Sequence, residues 1–489
     1  MKMPLRPATR WLCLALAFTA LANVRGADDW ISLFDGKTLA GWKAAEHPDS
    51  FKVIDGTIVG NGLRSHLFYL GADGSAEFEN FELELDVKAM DGANSGVYFH
   101  ATWQDEGWPR LSGTEVQVNN DQPVFEKNYI ENKKTGSLYG FRNLYKAMAR
   151  DGEWFTFNIR VAKPRVQVRI NGRLMIDYVE PANVPVLVPG ATRDILTKGT
   201  FALQCHDEKS QIFYRNIRVR RLPPGEDASV TKPVYNDADR ARQVLARDNF
   251  PLVNLRVHLT DGLTLVQLQE LRNRTGIFPG ITYHTGRKNP VYDDAWALKV
   301  ITELKDVPAF AGILIDPEYW LKRINPQIQP MFSPATLAKF DYIVARQRIS
   351  GMSGEEQESM NDLVSDIVAI MEGTPIDVFA NVMVLPKGLA SPADVLWTEE
   401  RMQRVIAAAA RNGIALEINP RLRTPSEQFI KLAKAAGVKF TIGSDRNTPE
   451  DYTDWSYLLE MQKAAGLTWR NLWVPGHEPT RAQRALLNN

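Results

Sequence analysis

The spacing of apolar residues changes once along the chain, near residue 225. Before that point the period is two. Phe81–Lys88, Phe155–Val161 and Ile212–Val219 alternate apolar and polar side chains strictly, which predicts half-buried strands. Val166–Ile170 and Arg173–Asp177 flank Asn171-Gly172, the signal for a two-residue hairpin turn. Many short strands without an amphipathic helix predict an antiparallel sandwich. Pro223–Ser229 reads as a linker by composition. Beyond residue 235 the rhythm becomes strand then helix. Ile277–Thr282, Phe310–Ile315, Ile376–Val382, Ile414–Ile418 and Val438–Ile442 are short apolar runs of the kind buried in parallel sheets. Helical patterns cover Leu265–Arg274, Asp294–Leu304, Met360–Glu372, Glu399–Arg411 and Ser426–Ala436. Alternation over this length, with no Gly-rich phosphate loop, favours a β/α barrel over an open sheet. The expected organisation is a sandwich over 29–222, a linker over 223–243, a barrel over 244–476 and a tail over 477–489.

One short run in the first half carries chemistry. In Gly113–Asn119 the alternation puts Glu115, Gln117 and Asn119 on one strand face and Val116 and Val118 on the other. The valines belong to a core. One carboxylate and two amides in a row make either a solvated sheet face or a groove for a hydroxyl-rich ligand, since planar amides and carboxylates both donate to and accept from sugar hydroxyls.

Composition narrows the classes. With 58 basic and 58 acidic residues and 44% hydrophobic content, this is a globular chain of more than one core. It has no basic field for nucleic acid. Lys2, Arg6 and Arg10 precede an apolar run, Trp11–Ala22, too short to span a bilayer, and small residues near Gly26 follow. A signal peptide over 1–26 is therefore expected. Its removal takes Lys2, Arg6, Arg10 and Arg25, leaving 54 basic residues against 58 acidic ones, about −4. Cys13 goes with it, so Cys205 remains without an internal disulfide partner. A periplasmic or secreted protein of a bacterial envelope, with no membrane span in the mature chain, is the expectation.

The first half resembles the 3-keto-disaccharide hydrolase family, a lectin/glucanase-like (concanavalin A-like) jelly roll. The resemblance rests on ordered pieces: Leu33–Trp42, Asn94–Tyr98, Glu115–Val118, Thr135–Gly140, Gly152–Trp154, Leu203–His206 and Phe213–Ile217. It implies a small carbohydrate substrate, a glycoside whose sugar carries a ketone at C3. The ketone acidifies the C2 proton; its removal gives an enolate that expels the C1 substituent, and water then adds. Such a route needs a base, a proton donor for the leaving oxygen and a stabilised enolate. It does not need the facing carboxylates of ordinary glycosidases. On this resemblance Glu115 and His206 are the catalytic candidates, and Gln117, Asn119, Tyr139, Gln204, Arg215 and His100 the candidate sugar ligands. An aspartate often follows the family's Glu-x-Gln strand, and here Asn119-Asn120-Asp121 stands there. Arg215 reads equally as a framework ion pair. Trp103 and Trp108 form either a stacking wall or a packing surface.

The second half resembles the PHP superfamily of metal-dependent phosphoesterases, through Val253–Thr264, Ala415–Pro420 and Thr441–Asp445. The resemblance implies a barrel pocket holding His258, His284, Glu417 and Asp445. The family's opening His-x-His pair points two imidazoles at one metal, and here the first position is Arg256, a fixed cation. Asn447 stands where a late histidine is usual, and Tyr283 where an aspartate is usual. This leaves room for a single divalent metal or for a metal-free pocket. Asp316–Trp320 and Arg421 add to the barrel mouth as a ligand site or as an ion network. Three functions follow: a 3-keto-glycoside hydrolase in the sandwich, a carbohydrate-binding module joined to a degenerate barrel, or a metal-dependent hydrolase in the barrel. The oligomeric state is open.

Overall fold

In the computed structural model, residues 29–109, 113–120, 124–126, 129–185, 196–285, 292–315, 331–347, 355–445 and 448–487 are described. The expected signal peptide, Asp316–Trp320 and Asn447 lie outside them. No helix among the described residues is long and apolar enough to cross a membrane.

The alternating runs form an antiparallel, jelly-roll-like sandwich. Its larger sheet has eight strands, including Phe81–Ala89, Phe155–Ala162, Ile212–Arg221 and the hairpin Arg165–Ile170/Arg173–Val179. The hairpin turn takes left-handed backbone at Asn171 (φ 49°) and Gly172 (φ 77°), which is why Asn-Gly stands there. The smaller sheet runs in the order Trp42–Ala44, Ser65–Tyr69, Thr200–Cys205, Ser95–Ala101, Thr114–Val118. Leu83, Leu85, Val87, Val97, Val116, Val118 and Leu203 meet between the two sheets. The other face of the smaller sheet carries a small apolar cluster with Phe68, Tyr98 and Ala202, beside which polar residues stand.

The second half is a closed barrel of seven parallel strands, from Val253–Val257 to Phe440–Ile442. The strand Tyr342–Arg346 lies between the expected runs. Barrel and sandwich share one hydrophobic cluster: Val253, Leu255, Phe278 and Phe310 pack with sandwich residues, and Tyr145 meets Phe278 edge-on at 5.8 Å. Arg142, 3% exposed, fastens the join. Its guanidinium donates to the carbonyls of Asn273 and Arg274 at the end of the Leu265–Thr275 helix and to the Tyr235 hydroxyl. A cation at a helix C-terminus meets carbonyls that have no helical partner.

Two boundaries differ from expectation. The linker does not run to 243, because Asp237–Arg247 is a helix. Asn236 and Asp239 form a reciprocal cap at its start, a signal that the polar composition obscured. The C-terminal tail includes a helix too, Arg481–Leu487, and Arg481 donates to the carbonyls of Met371 and Thr374.

Candidate functional site

The outer face of the smaller sheet forms the floor of a cavity of about 240 Å³. Strand register assembles it. Glu115 pairs with Tyr98 and Gln117 with Gly96 across neighbouring strands, while Gln204 pairs with His66 on the other side. Val116 and Val118 turn to the core, so Glu115 and Gln117 must turn to the cavity. His206 follows Gln204 at strand spacing, and both line the cavity. Tyr129, Glu131 and Tyr139 form one wall, Trp108 another, and Asn94 and Arg247 complete it.

Glu115 is partly exposed, into this cavity. Desolvation pushes its carboxyl above the ordinary range, against a hydrogen bond from the Tyr98 hydroxyl at 2.8 Å, and the neighbouring Glu131 adds to the rise. Its side chain lies back over Gly96, where a Cβ would stand 2.5 Å from Oε1. His206 Nδ1 lies 2.7 Å from Asp207 Oδ2. Burial raises the Asp207 pKa, but the bonds to His206, Ser210 and the Lys209 amide outweigh it and bring the carboxyl down to about 2. Asp207 is therefore an anion placed to accept from a proton on Nδ1, the tautomer in which Nε2 is the acceptor. The His206 ring sits 5.0 Å from Trp108.

The amides around the cavity are incompletely satisfied. Gln117 Nε2 donates to Asn94 Oδ1 at 2.7 Å and Gln204 Nε2 to the Tyr98 hydroxyl at 3.2 Å. Gln117 Oε1, Gln204 Oε1 and Asn94 Nδ2 are buried with no hydrogen-bond partner. Buried polar atoms are costly when unpaired, and three at one cavity form a donor–acceptor set suited to a hydroxylated ligand. Below the Tyr139 wall, Lys133 is fully buried, 4.2 Å from the ring centre and bonded to Asn249. Burial, with Arg247 nearby and against Glu131, brings the ammonium down to about 8.

Five of the eight expected sandwich residues meet here: Glu115, Gln117, Tyr139, Gln204 and His206. Three are held elsewhere. Asn119 lies past the end of its strand, fully buried, and its Oδ1 accepts from Lys134 Nζ at 2.9 Å. His100 has left-handed backbone (φ 53°) beside a shift in strand register, which turns its ring against Phe81 and Phe99. Arg215 belongs to the larger sheet, bonded to Asp86 at 3.3 Å and stacked on Trp154 at 4.0 Å, the framework alternative. Trp103 packs on Phe68 and Lys43, so of the two loop tryptophans Trp108 is the cavity wall. Tyr129, Glu131 and Arg247 were not singled out from sequence, and Asn94 and Tyr98 only as the ends of a motif rather than as site residues.

At the barrel mouth remote from the sandwich, Arg256 occupies the centre of the expected pocket, 1% exposed. Its Nε lies 2.6 Å from Glu417 Oε2, its Nη2 2.6 Å from Oε1, and its Nη1 2.8 Å from Asp445 Oδ1. Asn381 and, at 3.9 Å, Arg421 complete the network. His258 Nδ1 is spent on the Thr282 carbonyl at 2.7 Å and its Nε2 is 3.6 Å from Asp445; His284 contacts Arg346 at 3.2 Å. Both Glu417 oxygens face a guanidinium, so this donor set does not fit a divalent cation. Among the described residues no group of three or more His, Cys, Asp or Glu is arranged to hold a metal ion.

Comparison with known proteins concerns mainly the sandwich. Residues 29–220 match the model of the 3-keto-alpha-glucoside-1,2-lyase-like domain, so the N-terminal half is a 3-keto-disaccharide hydrolase-like domain. A curated 3-keto-disaccharide hydrolase of Bacteroides thetaiotaomicron is 30% identical over 171 residues, which cover 31% of this chain. The chain spans 59% of that relative's length. A solved structure from Parabacteroides distasonis, provisionally assigned as a glycosyl hydrolase, is 23% identical and covers 40% of this chain and 94% of that one, at a TM-score of 0.35. A histidinol phosphate phosphatase from Lactococcus lactis is 15% identical and covers 46% of this chain and 97% of that one, at a TM-score of 0.34.

Proposed function

We propose that the sandwich cavity of an exported protein cleaves glycosides whose ring carries a ketone at C3. The observation that carries this reading is the pairing, in one amide-lined cavity, of a carboxyl with a raised pKa and an imidazole oriented by an anionic aspartate. A desolvated carboxyl and an imidazole oriented through its other nitrogen are groups of the kind that divide the acid and base roles. His206 Nε2 takes the C2 proton, and the electron pair moves into the C2–C3 bond and onto the ketone oxygen. Collapse of that enolate forms the C1–C2 double bond and breaks the C1–O bond. Glu115 gives its proton to the departing oxygen. That collapse also re-forms the C3 ketone, now conjugated to the new double bond; water then adds hydroxide at C1 and a proton at C2, which saturates the double bond and completes a net hydrolysis. Gln117, Gln204 and Asn94 bind the ring hydroxyls through their open amide atoms, and Trp108 stacks on the ring.

The test uses Glu115→Gln and His206→Ala with a 3-keto disaccharide. Both variants are expected to bind the sugar while turnover falls at least about 100-fold, the usual contribution of a positioned acid or base. Wild-type turnover in either variant removes that residue from the mechanism. A protein that binds the sugar and never cleaves it is instead a carbohydrate-binding module.

A further inference from the structure

The cavity has a wall that the sandwich does not supply. Arg247 ends the Asp237–Arg247 helix, beyond the residues that match the domain family, and it lines the cavity beside Glu115 and His206. Among the described lining residues it is the one side chain with a permanent positive charge.

The surroundings are built to hold it there. Its guanidinium stacks on the Tyr139 ring at 4.7 Å, and Nη1 donates to the Tyr139 carbonyl at 3.4 Å. Gly140, in left-handed backbone (φ 77°), leaves the space the side chain crosses; a Cβ there would lie 2.7 Å from Arg247 Cδ. The helix is clamped to the sandwich just ahead of Arg247: Gln243 donates to the Gly140 carbonyl, and Asn143 donates to that of Ala246 at 3.1 Å. Asn249 receives Lys133. Among the described residues no carboxylate lies within ion-pair distance of Arg247, so its charge is not consumed by a framework partner, unlike that of Arg256.

We infer that Arg247 is a catalytic residue lent to the sandwich by the segment leading into the barrel, its guanidinium neutralising the oxyanion that forms on the C3 oxygen when the C2 proton leaves. This rests on the proposed 3-keto-glycoside reading. Cleavage by elimination places a full negative charge on that oxygen, and the amides around the cavity offer only dipoles to meet it. The fusion thereby has a purpose. The sandwich binds the sugar, and the helix that starts the second half completes the catalytic set.

Enolate formation can be read apart from bond cleavage with a 1,5-anhydro-3-keto sugar, which has the ketone and the C2 proton but no leaving group at C1. The full-length protein in D₂O is expected to exchange the C2 proton, above the rate without protein. Arg247→Ala is expected to lower both this exchange and cleavage of a 3-keto disaccharide by about 100- to 1,000-fold, the effect of losing one oxyanion donor. Arg247→Lys, or millimolar guanidinium chloride added to the alanine variant, is expected to recover part of both rates, which a merely misfolded variant would not do. Exchange at the wild-type rate in Arg247→Ala, or a fall that neither lysine nor guanidinium restores, overturns the assignment while leaving the 3-keto reading intact. Wild-type protein that neither exchanges nor cleaves overturns that reading, and Arg247's role with it.

Discussion

Replacing Gly96 with alanine perturbs the catalytic carboxyl without touching it chemically. The new Cβ would stand 2.5 Å from Glu115 Oε1, 2.8 Å from its Cγ and 3.0 Å from its Cδ, where ordinary contact begins near 3.4 Å. Glu115 must therefore retreat by about 0.9 Å at Oε1, the difference between those two distances. A misplacement of about 1 Å in a reacting group costs roughly 100-fold in rate, or about 2.7 kcal/mol of barrier. The backbone itself welcomes the change. Gly96 lies in the Ser95–Ala101 strand without a left-handed φ, and glycine inside a strand is worth roughly 0.5–1 kcal/mol less than alanine. Steady-state cleavage of a 3-keto disaccharide and a thermal melt, run on the same preparation, check both halves. The expected result is a kcat lower by about two orders of magnitude with a melting temperature within a few degrees of wild type. An active Gly96→Ala protein would refute the role given to Glu115's position, and a collapsed one would refute the claim that the clash is local.

Because Glu115 acts here in its protonated form, kcat is expected to fall as pH rises through its elevated pKa, and the Glu115→Gln variant to lose that limb; a pH–rate profile decides. His66 is fully buried in the sheet beneath the cavity, and desolvation holds it down to about 3. Between pH 6.5 and 3 the unfolded chain therefore binds a proton that the folded chain refuses. Stability falls as pH falls through that window, by up to roughly 1.4 kcal/mol per unit, and urea midpoints should depend less on pH in His66→Gln. Arg256→Leu leaves Glu417 and Asp445 facing each other without their cation, so the barrel is expected to lose about 3–5 kcal/mol, read from denaturant unfolding. Cleavage per folded molecule should stay at the wild-type level, since Arg256 lies at the barrel mouth away from the sandwich cavity.

What the sequence disclosed tracks how local each cause is. Alternation located the strands Phe81–Ala89 and Phe155–Ala162 within a residue or two, because a half-buried strand writes its two faces into successive positions. The same parity put Glu115 and Gln117, and Gln204 and His206, on shared faces. It also holds the answer for Arg215: Tyr214 is in the core, so Arg215 must point away from it. His100 failed for the opposite reason, since a register shift breaks the parity that would have aimed it at the cavity. Asn119 was placed on the right face but past the strand's end, where Lys134 claims it. Arg247 was out of reach of any local pattern. It ends a helix that straddles the expected linker–barrel boundary at 243/244, and only packing against Gly140 and Asn143 brings it to the sheet. In the barrel, the arginine in place of the first histidine foretold a cation at the centre, while its ring of acceptors needed tertiary structure to appear.

The most direct test of the central claim is product analysis after incubating the full-length protein in D₂O with a 3-keto disaccharide and with its unoxidised parent. Cleavage of the oxidised sugar alone is expected, with one solvent deuterium at C2 of the released 3-keto sugar above the exchange seen without protein. Cleavage of the unoxidised parent, or cleavage of the oxidised sugar with C2 hydrogen fully retained, would contradict that claim.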